Sequence, residues 1–275
     1  MRGQCIPVAS GVLPSVSTPS STVGEATAAI GFHSVAFVWA SPWTAMDVSL
    51  YDTLDGQLAL VTGGTRGIGK RIADGLVAHG ATVYAGARDT DDITADDRRP
   101  IELDVTVPAQ RVAAIERIEA ESGRLDVLVN NAGIMDSRES LAAMPAETID
   151  RTLTTNLRGP IHLTKQALDL LLARPGGRVV NVSSGLGAIT DPQSGGMPAY
   201  RISKTGLNGL TRYLDGEYDT LLANSVCPGY VQTDMTVGTA PRTPETGAET
   251  PVWLARLRPN GPSGEFWRDR SPKPW

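Results

Sequence analysis

The chain has 275 residues, 41% of them apolar, and a net charge of −5. That length suits one α/β domain of about 220–230 residues plus a remainder, and the acidic balance leaves no basic footprint for nucleic acid. Two distant cysteines, Cys5 and Cys227, argue against a disulfide framework and a structural zinc site, and no run of 18 apolar residues is present to span a membrane.

Residues 1–45 stand apart. They are rich in Ser, Thr, Pro, Ala and Gly, and their only charged side chains are Arg2 and Glu25. The charged start is too thin, and the apolar run 30–40 too late, for a good signal peptide. The expectation is a low-complexity extension, either disordered or translated upstream of a native start at Met46. Residues 46–275 are expected to form the folded domain.

From there, Leu58–Val61 reads as a buried strand. Gly63, Gly67 and Gly69 follow, and then Ile72, Leu76 and Val77 recur at helical spacing to about His79. Such a strand, turn and helix start make a phosphate site. Glycines let the backbone approach a pyrophosphate, and the helix start offers free N–H groups and a partial positive charge. Gly80 suits a left-handed helix end. Strands are expected at 82–87, 100–105, 125–129, 178–182, 222–227 and 265–267. The segment 89–99 reads as a polar loop. Helices are expected over 107–121, 146–173 and 200–218, with another starting at Thr243-Pro244-Glu245. Pro160 lacks the N–H that would bond the Asn156 carbonyl, so the long helix is expected to break at Gly159-Pro160.

Alternating strands and helices predict a single-domain, doubly wound parallel sheet of the Rossmann kind, with ligands at the C-terminal strand ends. The unusual motifs gather there: Gly63 to Gly69, Arg88, Asp104, Asn130 to Gly133, Ser183-Ser184 and Pro228-Gly229. Beyond them, Tyr200 and Lys204 stand four apart, one helical turn and one face. A tyrosine hydroxyl is a poor proton shuttle at neutral pH, and a nearby ammonium makes it usable.

Thr62-Gly63-Gly64-Thr65-Arg66-Gly67-Ile68-Gly69, Asn130-Asn131-Ala132-Gly133, Asn156, Ser184, Tyr200 with Lys204, and Pro228-Gly229 stand in the order of the short-chain dehydrogenase/reductase family. The chain resembles that family over about residues 56–267, and its last motifs resemble the carbonyl-reductase branch. One departure is plain: Ser184 and Tyr200 are only 16 apart, without the long insertion of the monomeric carbonyl reductases.

The resemblance implies an oxidoreductase that reduces a ketone or aldehyde with NADPH. In it Tyr200 is the acid, Lys204 holds the ribose and tunes Tyr200, Ser184 (with Ser183 as the neighbouring candidate) donates to the substrate oxygen, and Asn156 holds a relay water. It further implies cofactor contacts from Gly63, Thr65, Arg66, Gly67, Ile68 and Gly69 at the first turn. Others come from Arg88, Asp104 and Val105; from Asn131, Ala132 and Gly133; and from Pro228, Gly229, Val231 and Thr233. NADP(H) is expected over NAD(H) because Ala87 stands where an acidic residue would hold the ribose, followed by Arg88, whose fork suits a phosphate. Arg66 is the second cation, at a helix start that disfavours positive charge. An alcohol dehydrogenase or a 3-oxoacyl reductase remains an alternative, as does a non-catalytic NADP(H)-sensing protein. A homodimer or homotetramer in the cytoplasm, acting on a small carbonyl or alcohol with no metal, membrane or nucleic acid, completes the expectation.

Overall fold

The computed structural model describes residues 48–91, 93, 98–190, 195–236 and 240–275; the extension 1–45 lies outside them. Among the described residues eight strands form one sheet in the order β3-β2-β1-β4-β5-β6-β7-β8. These are β1 (Leu58–Thr62), β2 (Thr82–Ala87), β3 (Arg98–Glu102), β4 (Val127–Asn130), β5 (Gly177–Val182), β6 (Leu221–Val226), β7 (Glu265–Arg268) and β8 (Ser271–Pro272). Every pairing is parallel except the last, β7 with β8. The order reverses between β1 and β4, which creates a crevice at their C-terminal ends.

Side-chain alternation sorts the core onto two faces. On β1 every residue is buried. Ala59 and Val61 point to one side, where they join Ile72 and Leu76 of α1 (Gly67–Ala78) and Leu254 of α6 (Pro244–Ala255). Leu58 and Leu60 point to the other, with Ile115 and Ile118 of α2 (Pro108–Ser122) and Leu163 of α4 (Gly159–Leu171). Helices on both faces explain why these strands read as continuous apolar runs.

The sequence placed most strands within a residue or two. Two strands differ: the third runs 98–102 rather than 100–105, because Arg98 to Glu102 pair with Val83 to Ala87, and the two-residue β8, beyond the last expected strand, is not among those expected. Leu103 and Val105 are buried as the chain leaves the sheet. The long helix does not stop at Gly159-Pro160. It runs as α3 (Ala146–Leu153), a π turn (Thr154–Arg158) and α4, and Gly159 N–H donates to the Thr154 carbonyl, five residues back. The wide turn absorbs the missing proline N–H without ending the helix.

A polar row crosses the middle of the sheet. Asn130, Asn181 and Ser225 are register partners on β4, β5 and β6. Asn130 Nδ2 donates to Asn181 Oδ1 at 2.9 Å and to Thr164 Oγ1 at 3.1 Å. Asn181 Nδ2 donates to Thr211 Oγ1 at 2.8 Å, and the Thr211 and Ser225 hydroxyls share a 2.7 Å bond. Thr211 lies on α5 (Pro198–Glu217), the helix that carries Tyr200 and Lys204.

The turn Gly185–Gly187 packs flat on α5. A Cβ on Gly187 would lie 2.7 Å from the Lys204 carbonyl carbon and 2.8 Å from its Cβ. Thr205 Oγ1 and Asn208 Nδ2 both donate to the Gly187 carbonyl, at 3.0 and 3.2 Å. Gly187→Ala therefore forces turn and helix apart, and urea unfolding is expected to show a loss of about 1–3 kcal/mol, the usual cost of overpacking. A Gly123→Ala control loses stability only through its left-handed backbone (φ 64), since nothing lies within 4 Å of a Cβ there.

Candidate active site

A cleft of about 1060 Å³ opens along the C-terminal ends of β1, β2, β4, β5 and β6. Its floor is the turn after β1. Gly63 has φ +66 and Gly67 φ +53, left-handed conformations that side chains resist. A Cβ on Gly69 would lie 2.1 Å from the Gly63 carbonyl oxygen and 2.3 Å from Asn131 Nδ2, so nothing larger than glycine closes this turn. Thr65, Arg66 and Ile68 complete the stretch along the cleft. No side chain caps α1, and its first turn holds no acidic residue. Its N–H groups and positive dipole end remain available to an anion.

The neighbouring turn is tied to this one. Asn131 Nδ2 donates to the Thr62 carbonyl at 2.8 Å and to the Gly63 carbonyl at 3.3 Å. In return Thr62 Oγ1 accepts from the N–H groups of Asn131 and Ala132, both at 3.0 Å. Ala132 and Gly133 line the cleft just beyond.

At one end of the cleft β2 finishes in Ala87, which is buried, and Arg88, which is exposed. Arg88 forms no ion pair among the described residues; Asp89, its acidic neighbour, accepts instead from the Asp91 N–H at 3.0 Å. Asp104 and Val105 face this end. Asp104 Oδ1 accepts from the N–H and hydroxyl of Thr106, at 2.8 and 2.7 Å. Arg66 is differently placed. Its guanidinium meets Asp234 at 2.8 Å, and the two side chains are 74% and 77% exposed.

At the other end stand Tyr200, Lys204 and the serine turn. Lys204 is 4% exposed. Its Nζ donates to the Val182 carbonyl at 2.8 Å and sits 5.7 Å from the centre of the Tyr200 ring. Burial lowers the lysine to about 8. Burial pushes the Tyr200 hydroxyl up to about 12, a hydrogen bond with Ser184 opposes that shift, and the nearby Cys227 adds to it. At neutral pH the phenol holds its proton and the amine its charge.

The two serines do different things. Ser184 is half-buried, bonds Tyr200, and accepts from the Leu186 N–H at 3.2 Å. Ser183 is buried and donates to the Lys204 carbonyl at 3.2 Å, fastening the strand end to α5. Asn156, in the π turn, is fully buried. Its Oδ1 accepts from Ile134 N–H and its Nδ2 donates to the Ile134 carbonyl, both at 2.8 Å; Nδ2 also reaches Ser203 Oγ at 3.2 Å. Gly133 leaves room between Asn156 and Lys204: a Cβ there would lie 3.3 Å from Asn156 Oδ1 and 3.5 Å from Lys204 Nζ.

Pro228 and Thr233 line the cleft. Gly229 and Val231 lie behind its wall. Gly229 backs onto Arg242, and Val231, 3% exposed, packs against Gly247. Two carboxylates on the cleft were not picked out from the sequence. Asp234 pairs with Arg66, and Asp136 pairs with Arg151 at 2.7 Å. Neither pairing has a local sequence signal, since the partners are far apart in the chain. No helix among the described residues is long and apolar enough to cross a membrane.

The family model for short chain dehydrogenases matches residues 57–243. The chain is 36% identical over 191 residues to the 3-oxoacyl-[acyl-carrier-protein] reductase FabG of Escherichia coli K12, covering 66% of this chain and 76% of that protein. Among solved structures it is similar to the carbonyl reductase Sniffer of D. melanogaster, with a TM-score of 0.73, 27% identity, and coverage of 80% of this chain and 100% of that one. It is also similar to a short chain dehydrogenase from Burkholderia cenocepacia J2315 in complex with NADP, with a TM-score of 0.70, 29% identity, and coverage of 78% and 96%. With sheet order, glycine turn and Tyr200–Lys204 helix all on one cleft, the chain belongs to the short-chain dehydrogenase/reductase family of oxidoreductases.

Proposed function

We propose that this oxidoreductase reduces a ketone or aldehyde to an alcohol with NADPH. The observation that carries the reading is the meeting of Tyr200 and Lys204 at one end of the cleft, with Ser184, behind the lining residue Ser183, bonded to Tyr200. The residues fit the cofactor. The glycines at 63, 67 and 69 leave a cradle that a Cβ would fill, and α1 offers N–H groups to a pyrophosphate. Asp104 and Val105 line the cleft by the Arg88 end, and Asn131, Ala132 and Gly133 line it toward Lys204. Pro228, Gly229, Val231 and Thr233 form and back the opposite wall.

The bound cofactor supplies the hydride; the chain supplies protons, charge and position. Ser184 donates to the substrate oxygen and stabilises the charge that develops there. Tyr200 gives that oxygen its proton. Lys204 holds the ribose, and its charge one turn away favours the phenolate that Tyr200 becomes. Asn156 fixes the Ile134 turn by its side chain; its carbonyl, without a proline N–H to meet, holds the water that returns a proton towards Lys204. A second reading has a specific support: the FabG relatives are 3-oxoacyl reductases. A panel of simple ketones, aldehydes and 3-oxoacyl thioesters with NADPH separates the two. Oxidation of alcohols by the same site is the reverse reaction, and a cofactor sensor would turn over none of the panel. The protein is taken to work in the cytoplasm.

Tyr200→Phe is expected to bind NADPH as the parent does and to lose turnover by roughly 10²-fold or more, the size of a general acid's contribution. Near-parental turnover on every substrate would remove Tyr200 from that role.

The preference for NADPH rests on Ala87, on Arg88, which has no ion pair among the described residues, and on Arg66 shared with Asp234. Arg88→Ala is expected to lower kcat/KM for NADPH on the order of 10- to 100-fold, the value of one charge-assisted hydrogen bond, and to leave NADH unchanged. An unchanged preference would move the recognition to Arg66.

Association is proposed through the outer face of α5. Ile202 and Tyr213 are 56% and 58% exposed there, and nothing lies within 4 Å of a Cβ on Gly209 or Gly216. Glycines inside a helix cost roughly 1 kcal/mol each unless a close neighbour needs the space. Light scattering at micromolar concentration is expected to give at least twice the chain mass of 29.1 kDa; a single monomer peak would refute a dimer or tetramer.

A further inference from the structure

Behind the Pro228-Gly229 wall stands an ion pair that none of the roles above requires. Arg242 Nη1 meets Asp269 Oδ1 at 2.6 Å, and Nη2 meets Oδ2 at 2.7 Å, two parallel bonds of the fork-to-carboxylate kind. The same Nη1 donates to the Pro228 carbonyl at 3.3 Å. The guanidinium lies directly under Gly229: a Cβ on that residue, at φ +85, would sit 2.7 Å from Arg242 Cδ and 2.9 Å from Nε. The Arg242 backbone is engaged as well. Its N–H donates to the Tyr230 carbonyl at 3.3 Å, and its carbonyl accepts from the Gln232 N–H at 2.8 Å. One residue thus grips the chain at 228, 230 and 232.

Asp269 adopts the left-handed conformation, which aspartate tolerates better than most residues. It and Arg270 are the central residues of the turn joining β7 to β8, with φ +53 and +58. A two-residue hairpin with both φ positive favours Asn-Gly, Asp-Gly or Gly-Gly, so the departure is at Arg270. Here neither position is glycine. Aspartate suits the first turn position, and what it adds there is the carboxylate that meets both Arg242 nitrogens. The line continues inward. Cys227, next to Pro228, accepts from the Gly185 N–H at 3.1 Å through its sulfur, and Gly185 follows Ser184.

We propose that Arg242 and Asp269 are positioning residues: a strut, braced on the β7–β8 turn, that fixes the height of the Pro228-Gly229 wall and, through Cys227, the serine turn. The kinetic consequence rests on the carbonyl-reductase reading given above; the mechanical one does not. The wall faces the reacting end of the cleft, so a strut here sets the approach of the two reactants rather than their binding. Asp269→Gly separates the turn from the carboxylate, because glycine accepts φ +53 without cost but carries no carboxylate.

The test uses the full chain and two readouts. In Asp269→Gly, amide hydrogen exchange over 228–232 is expected to quicken by about 10-fold or more, while the rest of the sheet keeps its protection and the thermal midpoint stays level or rises. With NADPH and the best carbonyl substrate of the panel, kcat is expected to fall roughly 10-fold, as small misplacements of reactants do, with the KM for NADPH unchanged. Asp269→Asn, which tolerates the left-handed conformation and keeps one acceptor, is expected to recover at least half of the parental kcat. Parental exchange at 228–232 in Asp269→Gly overturns the strut. So does a lowered midpoint with exchange quickened throughout, which would make the pair a general support of the fold. Quickened local exchange with parental kcat overturns the positioning role. If the parent itself reduces nothing, the carbonyl-reductase reading fails, and hydrogen exchange alone still decides the strut.

Discussion

Two turns that hold each other fix the geometry of this site. Thr62 ends β1 and Asn131 follows β4, at the place where the strand order reverses. The Asn131 amide bonds two carbonyls of the first turn, and the Thr62 hydroxyl takes two N–H groups of the second. Four bonds across one crevice set the distance between the glycine turn and Gly133. Gly69 is then forced, since any side chain there would strike the Gly63 carbonyl. Because the clasp uses its own side chains and backbone, the N–H groups of α1 stay uncommitted and face the cleft. The crevice that strand order makes inevitable is thus sized by a few short polar contacts.

The helix α5, which carries Tyr200 and Lys204, is held by a second set. Ser183, Thr205 and Asn208 bond between α5 and the serine turn, and Asn156 joins Ser203 to the Ile134 turn. These contacts, at 3.0–3.2 Å, are buried or partly so. Polar groups left unpaired there would cost more than the bonds themselves contribute, so they specify one position for Tyr200 and Lys204. Lys204, pressed under Val182 and lowered to about 8, is the clearest product of that confinement.

Much of this was legible in the sequence because the informative residues fall at strand ends, where local composition and fold topology speak together. Gly63 to Gly69, Asn131, and Tyr200 with Lys204 are each ambiguous alone, and it is their order along an alternating strand and helix pattern that carries the meaning. What could not be read depends on partners far away in the chain. Arg66 looked like a cation waiting for an anion, and it meets the carboxylate of Asp234. Gly229 and Val231 looked like cleft residues, and they lie behind it, against Arg242 and Gly247. The start of β3 was misjudged because Arg98 and Arg99 are polar residues on an edge strand, where pairing with β2 decides and hydrophobicity does not. The π turn was visible only as a missing N–H; whether a helix stops or widens at such a point depends on what packs around it.

The polar row through Asn130, Asn181, Thr211 and Ser225 bears on how the chain reaches this fold. Its four members come from three strands and one helix, and each bond needs both neighbours in register. A sheet with β6 unpaired, or with α5 undocked, would enclose amide and hydroxyl groups without partners. Such half-formed states are raised in energy relative to both the open chain and the finished fold. The centre of the sheet and the helix bearing Tyr200 should therefore assemble, and come apart, as one cooperative unit. A molecule with an intact crevice but a displaced α5 would then be scarce at equilibrium.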